Sequence, residues 1–106
     1  MIVLASKSAS RRTMLGAAGV EFEVRPAAVD ERALEAQMEG ESPDRVALAL
    51  AQAKARSVEG GVRPVLGSES VVTVAGRRFD KPASRAQAAE HLRFFSGRTM
   101  HLHSAA

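Results

Sequence analysis

Apolar and polar positions along the chain follow two periods, and the switches between them mark the elements. Ile2-Val3-Leu4-Ala5 is a short continuous apolar run, consistent with a buried strand. A polar turn, Ser6 to Ser10, follows it, and Arg11-Arg12-Thr13-Met14-Leu15 opens a short helix that Gly16 or Gly19 would end. Val20-Glu21-Phe22-Glu23-Val24 alternates, as a strand with one wet face does, and Pro26 stops it. Residues 31–39 are weakly helical up to Gly40. Ser42-Pro43-Asp44 is a strong helix start, with Ser as cap and Pro in the first turn, and the helix runs to about Val58. Val46, Leu50 and Ala53 share one of its faces, and Ala47, Ala51 and Ala55 make a small-residue face beside it, suited to close packing.

Gly60-Gly61 breaks that helix. Val65-Leu66 is a second short apolar strand, ending in the turn Gly67-Ser68-Glu69-Ser70. Val71 to Val74 resumes the β pattern, Ala75-Gly76-Arg77 is a hairpin turn, and Pro82 closes the next strand. Ser84 with Gln87 forms a capping box for a helix that Gly97 terminates. From Thr99 to Ser104 the pattern alternates again, with Thr99, His101 and His103 on one face and Met100 and Leu102 on the other. The order β-α-β-α-α-β-β-α-β indicates a mixed-sheet α/β layered fold. No repeat, low-complexity segment or linker divides residues 1–106, so they read as a single domain. The last strand pattern has nothing after it to cover it. A bare edge strand is a liability, so the chain is expected to be a piece of something longer or to pair with a partner.

Composition narrows the functional classes. A chain of 106 residues suits one domain that buries roughly two-thirds of its unfolded surface. With 45% hydrophobic and 25% charged residues, global disorder is excluded. No apolar run approaches the roughly 20 residues of a membrane span. Met1 to Ala5 has neither the basic start nor the length of a secretory signal. The absence of cysteine excludes disulfide scaffolds and thiolate metal sites, and a cytoplasmic location fits. The net charge of +3 points to anionic partners. Four Phe, no Trp and no Tyr are few stacking platforms, and no basic run exceeds Arg-Arg. A small phosphorylated ligand is therefore expected ahead of polymeric nucleic acid.

Ligands of α/β sheets bind at strand ends, and two such ends carry suggestive residues. Ser6-Lys7-Ser8-Ala9-Ser10-Arg11-Arg12 offers three hydroxyls, helix amides and two guanidiniums, which together could hold a polyphosphate. The same residues also read as a solvated turn with a Ser cap and surface arginines. Glu69, after the strand at Val65-Leu66, could ligate Mg²⁺ or act as a general base on water, or be an exposed turn carboxylate. Asp30-Glu31 could hold a hard cation or be a charged helix start. Lys54 and Lys81 could each neutralise phosphate charge or be solvated. His101 and His103 could bridge a metal, but no third ligand is evident and the structural reading is favoured.

Six segments, in order, resemble the Maf family of nucleoside triphosphate pyrophosphatases. They are Leu4-Ala5-Ser6-Lys7-Ser8-Ala9-Ser10-Arg11-Arg12, Val29-Asp30-Glu31, Leu50-Ala51-Gln52-Ala53-Lys54-Ala55, Leu66-Gly67-Ser68-Glu69-Ser70-Val71-Val72, Asp80-Lys81-Pro82 and Ser96-Gly97-Arg98-Thr99. The resemblance covers nearly the whole chain but only the N-terminal half of the family fold, which resembles that of inosine triphosphatases. It implies hydrolysis of a nucleoside triphosphate to the monophosphate and pyrophosphate with Mg²⁺ or Mn²⁺, in a protein that tends to form homodimers and clears modified or surplus nucleotides. By position, Ser6, Ser8 and Arg11 would hold phosphates with help from Arg12. Lys54 and Lys81 would neutralise the leaving pyrophosphate. Glu31 would help bind the metal, and Glu69 stands in the place of the family's catalytic and metal-binding aspartate. That is a departure from the family's Gly-Ala/Ser-Asp, and the extra methylene moves the charge by roughly 1 Å, a shift that can cost on the order of 100-fold in rate.

Ser10 and Ser70 bear on specificity. The branch preferring dTTP and UTP has arginine in the place of Ser10. The branch preferring 7-methyl-GTP has an aromatic there, with arginines in the places of Arg11 and Arg12. The arginines match the second branch, although Ser10 supplies no ring, and Ser70 is nearer the threonine of the first. The resemblance thus favours 7-methyl-GTP over dTTP or UTP. The alternative is a nucleotide- or RNA-binding module with impaired catalysis.

Overall fold

The apolar run at the N-terminus becomes a central strand. In the computed structural model, which describes residues 1–106, β1 (Ile2–Leu4) lies between β2 (Phe22–Val24) and β3 (Val65–Leu66), both parallel to it. Val3, Leu4 and Ala5 are fully buried, which is why the run is continuous rather than alternating.

Between β1 and β2 runs α1 (Ala9–Ala17), which begins before the expected Arg11 because Ser8 is its cap, its Oγ accepting the Arg11 N–H at 3.3 Å. The chain then forms α2 (Glu31–Gln37), capped by Asp30 and without a single buried residue. The next helix, α3 (Pro43–Arg56), is capped by Ser42 as expected. Its buried residues are Ala47, Leu50 and Ala51, so the small-residue face carries the packing, while Val46 and Ala53 are half-buried. Gly67 shows how close that packing is. A Cβ there would lie 2.6 Å from the Ala55 nitrogen and collide with the Ala51 carbonyl oxygen.

One departure from the expected pattern follows from pairing. Glu69 and Ser70, expected in a turn, open β4 (Glu69–Val74), because β6 (Met100–Ala105) supplies antiparallel partners as far as Glu69 opposite Ala105. Local pattern cannot reveal a partner that lies so far along the chain. On the other side of β4, β5 (Arg77–Phe79) completes a two-residue hairpin, with Ala75 at φ 51° and Gly76 at φ 75° and Val74 opposite Arg77. The parallel and antiparallel strands thus form two three-stranded sheets. The last helix, α4 (Arg85–Phe95), carries His91, Phe94 and Phe95 around Phe79, with ring centroids 4.7–5.2 Å from it. Its capping box is half formed, with the Gln87 N–H on Ser84 Oγ but the Gln87 side chain on Ala83. β6 is an edge strand, and no helix is long and apolar enough to cross a membrane.

Candidate active site

The end of β1 and the start of β4 open on a cleft of about 1050 Å³ to which all four helices contribute. Its first wall is the loop from β1 into α1. Ser6 is buried, and its Oγ accepts the Ser8 N–H at 3.0 Å and a guanidinium N–H of Arg11 at 3.4 Å. Having accepted twice, the hydroxyl keeps its own proton to donate. Ser8 and Ser10 lie Oγ to Oγ at 3.0 Å. This wall is also the positive end of α1.

The facing wall is a charged cluster. Lys54, near the end of α3, donates from Nζ to Glu69 Oε2 at 2.7 Å and to Glu31 Oε1 at 2.9 Å. Three separate elements meet there: the first residue of α2, the last turn of α3 and the first residue of β4. The Ser70 N–H donates to Glu69 Oε1 at 2.9 Å, and an Arg11 nitrogen stands 3.9 Å from the same oxygen. Burial pushes the Glu69 carboxyl up, but hydrogen bonds from Lys54 and the Ser70 amide, with the Lys54 charge, outweigh it and hold the pKa below the usual range. Burial likewise pulls the Lys54 ammonium down, and its bonds to Glu69 and Glu31 carry it above its ordinary value. Glu69 is therefore a carboxylate and Lys54 a cation at neutral pH.

Ser6, Ser8, Ser10, Arg11, Glu31, Lys54, Glu69, Ser70 and Lys81 all line the cleft. Arg12 does not line it and points to an exposed position on α1. Lys81 is exposed at the rim, and Ser70 Oγ lies 2.9 Å from Ser104 Oγ. The acidic pair divides, Asp30 serving as the α2 cap and Glu31 as part of the charged cluster. His103 has both nitrogens engaged, with Asp44 at 2.7 Å and Thr73 at 3.0 Å, and so serves to tie α3 to the sheet. An ion pair in the cleft escapes sequence reasoning. Arg78 on β5 pairs with Glu35 of α2 and, at 3.4 Å, with Asp80. Glu35 stands four residues after Glu31, a spacing that places both on one helix face. Arg78 has no local signal.

The donor set suits a hard divalent cation. Glu31 and Glu69 are oxygen donors that already converge on one cation, the Lys54 ammonium, and Mg²⁺ is commonly held by one or two carboxylates with water and phosphate oxygens completing its shell. No cluster of three acidic, histidine or cysteine side chains is present.

Fold and cleft together define an α/β protein with a charged cleft at its strand ends, where ligands of such folds bind. A model of the Maf-like protein family matches residues 1–106, and the chain belongs to that family. It is 48% identical over 109 residues to a 7-methyl-GTP pyrophosphatase of Rhizobium meliloti (strain 1021), an alignment covering 99% of this chain and 55% of that protein. It is 44% identical over 106 residues to a nucleoside triphosphate pyrophosphatase of Nitrobacter hamburgensis (strain DSM 10229 / NCIMB 13809 / X14), covering 98% and 52%. The chain spans about half the length of the curated relatives it matches.

Proposed function

We propose that the protein hydrolyses a nucleoside triphosphate to the monophosphate and pyrophosphate in the cytoplasm, using Mg²⁺ or Mn²⁺ held by Glu31 and Glu69. One observation carries this reading: Lys54 is held between two carboxylates in the same cleft as the Ser6-Ser8-Arg11 loop. Anion-binding groups and a carboxylate able to take a proton thus share one space.

Water adds across the α–β anhydride, and pyrophosphate leaves with the displaced oxygen. Ser6, Ser8 and Arg11 hold phosphate oxygens, with the amides at the start of α1 beside them. Lys54 and Lys81 neutralise the charge that develops on the leaving group. Glu69 takes the proton of the attacking water. A bound divalent cation supplies charge neutralisation to the phosphate oxygens.

Among substrates, 7-methyl-GTP is favoured over dTTP and UTP. The positions of Arg11 and Arg12 support it, as does the 48% identity to a protein named for that activity. The test is pyrophosphate release with Mg²⁺ across dTTP, UTP, CTP, GTP and 7-methyl-GTP, with 7-methyl-GTP expected fastest. Glu69→Gln is expected to lower the rate about 100-fold or more, the usual worth of a positioned base. Glu69→Asp, which restores the family's spacing, is expected to raise turnover. An unchanged rate in Glu69→Gln removes Glu69 as the base, and no release from any nucleotide turns the reading toward binding without catalysis.

A further inference from the structure

Little apolar burial holds α2 in place, with Leu34 alone of its apolar residues half-buried. It has seven residues, none of them buried. A helix that short is not stable in isolation, since roughly 12 residues or more are needed even for good helix formers. It nevertheless carries Glu31, whose position decides whether the two carboxylates face each other. Two ion pairs link α2 to the rest of the molecule: Glu31 to Lys54, and, one turn later, Glu35 to Arg78. The first cannot persist through the proposed reaction, because Lys54 is needed on phosphate and Glu31 on the cation.

The second lies on a firmer base. Arg78 sits mid-way along β5, paired in register with Thr73 of β4, and its neighbour Phe79 is buried under α4. The Arg78 and Glu35 side chains are only 33% and 27% exposed. Asp80 takes another guanidinium nitrogen at 3.4 Å, which fixes the plane of the group and links it to the segment bearing Lys81.

We propose that Arg78 is a positioning residue, holding α2 through Glu35 so that Glu31 stays opposite Glu69 when Lys54 leaves. This rests on the hydrolytic reading of the cleft. In that reading Arg78 touches neither substrate nor cation, and it works from the sheet through Glu35.

The experiment has two independent arms. In the first, hydrogen exchange follows the Leu34 and Met38 amides, which bond to Asp30 and Glu35 carbonyls within α2. Arg78→Met and Glu35→Gln are each expected to speed their exchange roughly five-fold, the scale of a good partly exposed ion pair. The exchanged pair, Arg78→Glu with Glu35→Arg, is expected to restore protection. In the second arm, both single variants are expected to lower kcat for pyrophosphate release about ten-fold with KM little changed, as misplacement of a group does. Unchanged exchange in Arg78→Met, at an unchanged melting temperature, overturns the proposal. So does a raised KM at constant kcat, which would make Arg78 a substrate contact. If the wild-type chain releases no pyrophosphate, the hydrolytic reading falls, and the exchange arm alone decides whether Arg78 holds α2.

Discussion

At the scale of the residue, the candidate site is a balance between one ammonium and two carboxylates. Its pH dependence follows from the direction of each shift. Glu69 titrates lower in the folded chain than its ordinary 4.5, so its contribution to stability is complete above 4.5 and is lost as pH falls through the depressed folded value. Lys54 titrates higher than its ordinary 10.5, so its contribution is complete below 10.5 and is lost as pH rises through the elevated value. Denaturant unfolding between these limits is expected to show a plateau, with an acid limb that Glu69→Gln flattens. An acid limb identical in that variant would show that Glu69 is not held by the bonds seen here. Legibility at this scale was uneven. Ser6, Lys54 and Glu69 stood out because strand ends and an alanine-rich helix frame them. Arg78 did not, because an arginine in a hairpin strand looks like any solvated residue until Glu35 is seen beside it.

At the scale of the element, the close fit of α3 against the β3–β4 connection decides where Lys54 stands. Ala47 and Ala51 bring the helix backbone near, and Gly67 lets the connection pass beneath it. Gly67→Ala forces α3 outward, and overpacking of this kind typically costs about 1–3 kcal/mol. A fall in unfolding free energy of that size, read from denaturant unfolding, is expected, together with slower pyrophosphate release because Lys54 moves with the helix. A variant of unchanged stability would show that the helix does not lie as close as the Ala51 and Ala55 contacts imply. Most boundaries were readable because caps and glycines are local: Ser42 and Ser84 start helices where expected, although Ser8 starts α1 ahead of the expected Arg11. The start of β4 was not, since Glu69 and Ser70 are extended by pairing with β6 and by nothing in their own neighbourhood.

At the scale of the molecule, the chain is open. Its radius of gyration is 15.3 Å, against about 13 Å for a compact domain of this length. Only 12 of 106 residues are buried, and Met100 and Leu102 on the edge strand β6 are more than half exposed, as is Leu92 on α4. The resemblance to the Maf family leads us to expect a homodimer, for which such a surface gives room. Light scattering is expected to find a mass of two chains, and a monomer at every concentration would sink that expectation.

The sequence by itself determined the local structure and the family. Runs, alternation, caps and glycines specify elements through forces that act within a few residues, and the six ordered segments carry the likeness across the whole match. It also marked Ser6, Lys54 and Glu69 as candidates, because each falls in one of the ordered segments of the family resemblance although each alone has a bland reading. Only the tertiary structure decided that there are two sheets, that β4 begins at Glu69, and that Lys54 lies between Glu31 and Glu69. It alone set Arg12 outside the cleft and Arg78 within it. Those outcomes depend on strand pairing and on charges meeting across long stretches of chain, where no local pattern records which partner will arrive.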